Sequence, residues 1–134
     1  MPIDPVKQAE ELARIFFTLS NAVDDFRLDN YDALPPDKQR QLKDQAQALA
    51  MRAQQYTADA LGAILQAIQP HLQDIKQATQ GAKEALAHLN NLEKGIAIVD
   101  AAVALARSIA DGDIGSIGDN VQHLIQAISP TKQG

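Results

Sequence analysis

The sequence has 134 residues and a formal net charge of −5, which is the size of one ordinary domain. Its 17 Asp and Glu outnumber its 12 Lys and Arg, which argues against a nucleic-acid binder that neutralises phosphates with clustered cations. Because the chain has no Cys, disulfides, thiolate catalysis and cysteine-based zinc or iron–sulfur sites are excluded.

The composition is typical of helices. Ala occurs 23 times and Gln 15 times, against 7 Gly and 6 Pro, and both abundant residues favour helix. With 46% apolar residues the chain has enough material for a core. We therefore expect an all-α protein that forms a single domain over residues 1–134.

The first predicted helix covers residues 5–28. Asp4 is a residue type that caps helix starts, and Pro5 after it is favoured at the first helical position. Apolar residues then recur at intervals of three and four, which lines one helix face; they are Leu12, Phe16, Leu19, Val23 and Phe26. Pro35 and Pro36 end this segment, because proline cannot continue a helix interior.

The second predicted helix covers residues 36–68. Large residues recur every seven positions at Leu42, Leu49 and Tyr56, interleaved with Ala46, Ala53 and Ala60. Alternation of large and small side chains at this period lets a neighbouring helix approach closely. The apolar row continues through Leu61, Ile64, Leu65 and Ile68.

The third predicted helix covers residues 70–110 and has the strongest periodicity. Every position on a three-four alternation is apolar; the row is Ile75, Ala78, Ala82, Ala85, Leu89, Leu92, Ile96, Val99, Val103, Ala106 and Ala110. Gly81, Gly95 and the pair Asn90–Asn91 could each interrupt a helix, but the apolar phase continues past all of them. We therefore predict one helix of about 60 Å, and with it a rod-shaped molecule.

The fourth predicted helix covers residues 117–128. It follows the loop Asp111–Gly115, and Ser116 with Asp119 fits a start resembling a capping box. The fold predicted from these four segments is an elongated antiparallel helical bundle or hairpin, with two long coiled-coil-like helices and two shorter flanking helices.

The junction at Gln69–Pro70 leaves two topologies open. A tight hairpin there gives an antiparallel bundle, whereas a proline-kinked continuous helix of about 75 residues must dimerise to bury its apolar row. We favour the hairpin, because it lets one chain cover its own apolar face.

No arrangement of residues predicts catalysis, a cofactor or a metal site. His71, His88 and His123 are not at metal-ligand spacing. The run Asp111–Gly112–Asp113 begins like a calcium loop, but Ser116 and Gln122 stand where such a loop needs Gly and Glu. An interhelical turn explains these residues better.

Residues 95–106 contain a single charge, Asp100, and a helix that is apolar on all sides must be covered on all sides. Other helices of the same chain provide that cover in one interpretation. In the other, part of the face binds a partner through Ile96, Val99, Val103 and Leu105. Phe17 is a second candidate anchor, because it lies off the apolar row of the first helix.

We therefore expect a non-enzymatic protein-interaction or scaffold module that presents coiled-coil-like helix faces and self-associates. The alternatives are a membrane-active, pore-forming-like protein that uses residues 95–110, or a bundle that holds a small apolar ligand. The first residues do not resemble a signal peptide, and no stretch of about 18 uncharged apolar residues occurs, so we expect a cytoplasmic protein. Because the net charge is negative, we expect no nucleic-acid partner.

Overall fold

The computed structural model describes residues 4–62, 64–88 and 91–128. These residues form seven α-helices and no β-strand, which confirms the prediction of an all-α fold. The helices are α1 (Pro5–Asp29), α2 (Pro36–Gln55), α3 (Ala58–Leu61), α4 (Ile64–Ala67), α5 (Gln69–His88), α6 (Leu92–Asp111) and α7 (Ile114–Ile128), with one 3₁₀ turn at Tyr31–Ala33.

The five long helices form a closed ring. In order around the ring, α1 packs on α2, α2 on α6, α6 on α7, α7 on α5, and α5 on α1 again. Helices α1, α5 and α7 run in one direction. The Gln8 side chain donates a hydrogen bond to Gln69, which places the start of α1 beside the start of α5. His71 lies beside Gly118, so the start of α5 is also close to the start of α7. Helices α2 and α6 run in the opposite direction. The buried apolar residues of all five helices form one core inside the ring.

Helix α1 buries the face that its periodicity predicts. Asp4 caps the helix by accepting hydrogen bonds from the backbone N–H groups of Val6 and Lys7. Within the core, the Ser20 hydroxyl donates a 2.7 Å hydrogen bond to the Ala46 carbonyl of α2. This bond fixes how α1 and α2 are aligned. The predicted core residues are all buried; they are Leu12, Phe16, Leu19, Val23 and Phe26.

Helix α2 is shorter than predicted. Leu42, Leu49 and Tyr56 are buried with Ala46 and Ala53, but the helix ends at Gln55 and Ala60 is exposed. The Thr57 hydroxyl accepts a hydrogen bond from the Ala60 N–H and so caps the start of the separate helix α3. Such a side-chain cap competes with continuation of α2.

The chain reverses over residues 56–68 rather than at Gln69–Pro70. Gly62 has a φ of 51°, a conformation that only glycine adopts readily, and it separates α3 from α4. Helix α5 then begins at Gln69, so Pro70 lies in its first turn, where proline is tolerated. The predicted hairpin site is therefore the start of a helix.

The prediction of one helix over residues 70–110 is wrong. Helix α5 ends at His88, and α6 begins at Leu92 with Asn91 as its cap; the Asn91 Oδ1 accepts a hydrogen bond from the Lys94 N–H at 3.1 Å. Gly81 and Gly95 lie inside helices, whereas Leu89 and Asn90 lie outside the described residues. The break therefore lies between His88 and Leu92, where the Asn91 side chain caps α6 instead of allowing one continuous helix.

The interruption changes the predicted shape as well as the helix count. The longest described helix, α1, has 25 residues and a length of about 37 Å. The accessible surface of 7466 Å² is close to the roughly 6900 Å² of a compact monomer of this mass. The predicted elongated rod is thus replaced by a bundle of helices of similar length.

Helices α6 and α7 meet in a tight turn. Gly112 has a left-handed φ of 74°, and the N–H groups of Gly112 and Asp113 donate to the carbonyls of Ile109 and Ser108; this is the Schellman pattern of a helix end. Asp113 accepts hydrogen bonds from the Ser116 hydroxyl and N–H, which lower the pKa of its carboxyl. The cap of α7 is therefore Asp113, and the predicted start at residue 117 is three residues late.

Helix α6 approaches α1 closely at Gly95. A Cβ atom added to this glycine would lie under 3.0 Å from three ring carbons of Phe26. The Phe26 ring thus occupies space that any other residue at position 95 would fill. Gly95 is required for contact between the two helices rather than for backbone flexibility.

We expect Gly95→Ala to destabilise the bundle. Alanine improves helix propensity by about 0.5–1 kcal/mol, but displacing the Phe26 ring costs about 1–3 kcal/mol. The matched control is Gly118→Ala, where the nearest side-chain atom is 3.6 Å from the added Cβ and a small gain is expected. Denaturant unfolding of both variants measures the free energies, and a Gly95→Ala protein as stable as the wild type would contradict this packing.

Tyr56 links three helices within the core. Its ring meets the Phe16 ring edge to face, with centroids 5.6 Å apart. Its hydroxyl donates a 2.6 Å hydrogen bond to the Ala106 carbonyl of α6. Burial raises the pKa of the Tyr56 phenol well above its ordinary value of 10.0, because the phenolate has lost its water.

This raised pKa predicts a loss of stability in alkali. Above pH 10 the unfolded chain ionises Tyr56 whereas the folded chain does not, so the free energy of unfolding falls as the pH rises. Tyr56→Phe loses the hydrogen bond, worth about 1 kcal/mol at neutral pH, but cannot ionise. We therefore expect the difference in unfolding free energy between wild type and Tyr56→Phe to shrink between pH 8 and pH 11, as measured by denaturant titrations. A difference that stays constant with pH would contradict the raised pKa of Tyr56.

Candidate functional site

Two of the predicted partner contacts lie in the core. Val99 and Leu105 have no exposed surface, and Ile96 and Val103 are half-buried against the same core. This corrects the expectation for Val99 and Leu105, which a partner cannot reach in the folded bundle. Of the five predicted contacts, Phe17 is the most exposed, at 38%.

The core face of α6 is rotated relative to the predicted row. Its buried positions include Ile98, Ala102 and Ile109, none of which belongs to the three-four alternation drawn through Ile96 and Val103. Because nearly every residue of this segment is apolar, periodicity alone could not identify the inward side. The single charge, Asp100, is exposed and accepts a hydrogen bond from the Gln45 amide of α2.

Most of the exposed large apolar side chains among the described residues belong to two neighbouring helices. Among the described residues, five of the six come from the first two long helices and their connection; the six are Val6, Phe17, Leu28, Tyr31, Met51 and Ile125. Three of the six lie on α1, about 16 Å apart along the helix. The surface of α1 is therefore the candidate site.

Val6, Phe17 and Leu28 form an apolar row along α1. Consecutive members are eleven residues apart, and eleven residues complete slightly more than three helical turns, so the three side chains share one face. They are 58%, 38% and 53% exposed. Val6 and Leu28 stand outside the intervals of three and four that mark the core face of α1, but an eleven-residue interval identifies them in the sequence.

Polar residues that flank the apolar row carry charges of both signs. Asp24 is neutralised within α1 by Arg27, whose Nη2 lies 2.8 Å from the carboxylate. Glu10 of α1 and Lys43 of α2 are exposed, and neither forms an ion pair within the part of the chain that the structure describes. Glu10 and Lys43 are therefore an acid and a base that no ion pair of the described residues engages.

Other recesses on the surface are polar grooves between helices. A groove of about 610 Å³ separates α1 from α5, and the Glu11–Lys76 ion pair of 2.8 Å crosses it. A second groove of about 470 Å³ lies between α2 and α6, where Arg40 and Arg107 border the half-buried Val103. Both grooves are therefore lined by charged side chains of both signs.

In residues 4–62, 64–88 and 91–128, no three His, Asp or Glu side chains are grouped so that they could hold a metal ion. No described helix combines the length and the apolar character needed to cross a bilayer. No family model, curated protein or solved structure matches the chain.

A matched pair of leucines tests the distinction between core and surface. Leu105→Ala removes a fully buried side chain of α6 and should cost about 2–5 kcal/mol of unfolding free energy. Leu28→Ala makes the same change at a half-exposed position and should cost less than about 1 kcal/mol. Equal losses in urea titrations would show that the two positions are wrongly assigned.

Proposed function

We propose that this protein is a non-enzymatic interaction module that binds protein surfaces through the apolar row on α1. The observation that supports the proposal is the alignment of Val6, Phe17 and Leu28 along one exposed helix face. An exposed row on a rigid, packed helix requires little ordering on binding, which favours recognition of another helix.

The energetics favour a reversible complex. Burying a large apolar side chain completely is worth about 1.5–3 kcal/mol, and the three members of the row are already half-buried on average. Association must also overcome lost rotational and translational freedom. Phe17 is the expected anchor, because aromatic residues at the centre of an interface contribute most.

The alternative functions have less support. A membrane-active role for residues 95–110 requires α6 to leave the core, where Ile98, Val99 and Leu105 are completely buried. A small apolar ligand would need an apolar cavity, whereas the α1–α5 groove is lined mainly by polar and charged side chains.

A photo-crosslinking experiment tests the proposed surface directly. The crosslinking amino acid p-benzoylphenylalanine is placed at position 17 of the full chain, which is expressed in the cell that makes this protein. Irradiation should give protein–protein adducts that wild-type chain in excess suppresses, since the unlabelled row competes for the same partner.

The matched control places the same amino acid at position 125. Ile125 is 36% exposed, nearly the same as Phe17, but it lies on α7, which is not a neighbour of α1 in the ring. Adducts at position 17 and none at position 125 support the proposal. Absence of adducts at position 17, or equal adducts at both positions, would overturn it.

A further inference from the structure

We infer that the partner of the apolar row is a second copy of this chain, bound antiparallel about a twofold axis that passes beside Phe17. The inference rests on the proposed function and names its partner. A twofold interface is isologous, so the same residues must face each other in reverse order. The row on α1 meets that requirement.

The row is symmetric about the centre of α1. Phe17 is the middle residue of the helix Pro5–Asp29, and Val6 and Leu28 lie eleven residues on either side of it. Two antiparallel copies of α1 therefore place Phe17 against Phe17, and each Val6 against a Leu28. A parallel pairing would instead place each residue beside its own copy.

Charges beside the row also match in this arrangement. The Ser20–Ala46 hydrogen bond places Lys43 of α2 level with Val23 of the antiparallel helix α1. The twofold axis brings that level opposite Glu11 of the second copy, one residue from Glu10. Lys43 and Glu10, which have no ion-pair partner among the described residues, thus come within reach of each other twice, once on each side of the axis.

One like-charge approach beside the row is compensated. The same symmetry sets Glu10 of one copy opposite Asp24 of the other. Asp24 is already held by Arg27, through contacts of 3.1 and 2.8 Å to one carboxylate oxygen, and Lys43 approaches Glu10. Each of these two acids therefore has a cation beside it.

The available area suits a dimer. The outer face of α1 and α2 measures about 37 Å by about 20 Å, given the length of α1 and a helix separation of about 10 Å. That is about 700 Å² on each copy, close to the ~800 Å² per partner of a standard interface. The antiparallel pair therefore covers the row without contributions from the rest of the bundle.

Cysteine crosslinking distinguishes the geometries, because the chain has no Cys of its own. Phe17→Cys should form a disulfide dimer under mild oxidation. Val6→Cys and Leu28→Cys should not crosslink separately, since about 33 Å separates equivalent positions in the antiparallel pair, but a mixture of the two variants should crosslink. Ile125→Cys is the matched exposed control and should stay uncrosslinked.

Sedimentation of the full chain gives an independent measurement. The wild type should approach twice the 14.5 kDa of one chain as its concentration rises, while Phe17→Glu should remain at one chain mass. Circular dichroism checks that Phe17→Glu is folded; if that variant unfolds, the cysteine pattern alone decides the question.

Three results would overturn the inference: a wild-type chain that stays monomeric, separate crosslinking of Val6→Cys and of Leu28→Cys, or a mixture of the two variants that does not crosslink. The position-17 adducts show whether the proposed function fails together with this inference. A monomeric chain that still gives position-17 adducts with another protein refutes self-association and retains the interaction surface. A chain without any position-17 adduct refutes both.

Discussion

Helix α6 must be covered on nearly every side, and this constraint shapes the bundle. Its residues 95–106 carry one charge, Asp100, and a helix with so little polar surface is stable in water only inside a core. Helices α2 and α7 flank it, α5 contacts it, and the Phe26 ring of α1 lies against Gly95. As a member of the ring, α6 therefore has its apolar face covered by four other helices, while Asp100 stays exposed.

Covering α6 determines which surfaces remain for a partner. With α6 in the ring, Val99 and Leu105 are buried and unavailable, and five of the six exposed large apolar side chains among the described residues belong to α1, α2 and their connection. Helix α1 therefore has two apolar faces. One anchors the core through Phe16 and Phe26, and the other, centred on Phe17, is directed to solvent and provides the proposed contact.

Part of the site could be inferred from the sequence, because Phe17 stands off the row that contains Phe16 and Phe26. Val6 and Leu28 follow from an eleven-residue interval, which is visible in the sequence once α1 is known to be continuous from Pro5 to Asp29. The sequence left open whether Ile96, Val99, Val103 and Leu105 face the core or a partner, and this has a physical reason. On a helix that is apolar all round, the side that faces the core depends on neighbours that a linear pattern does not contain.

The sequence by itself determined the helical class, the core face of α1 and the buried residues of α2, because amphipathic periodicity and capping residues act within a few turns. Only the tertiary structure decided where the longest predicted helix divides and which way α6 faces. An unbroken apolar phase permits either one long helix or two that fold back, and the choice depends on which arrangement covers α6. That cover comes from helices distant in sequence, so no local pattern could reveal it.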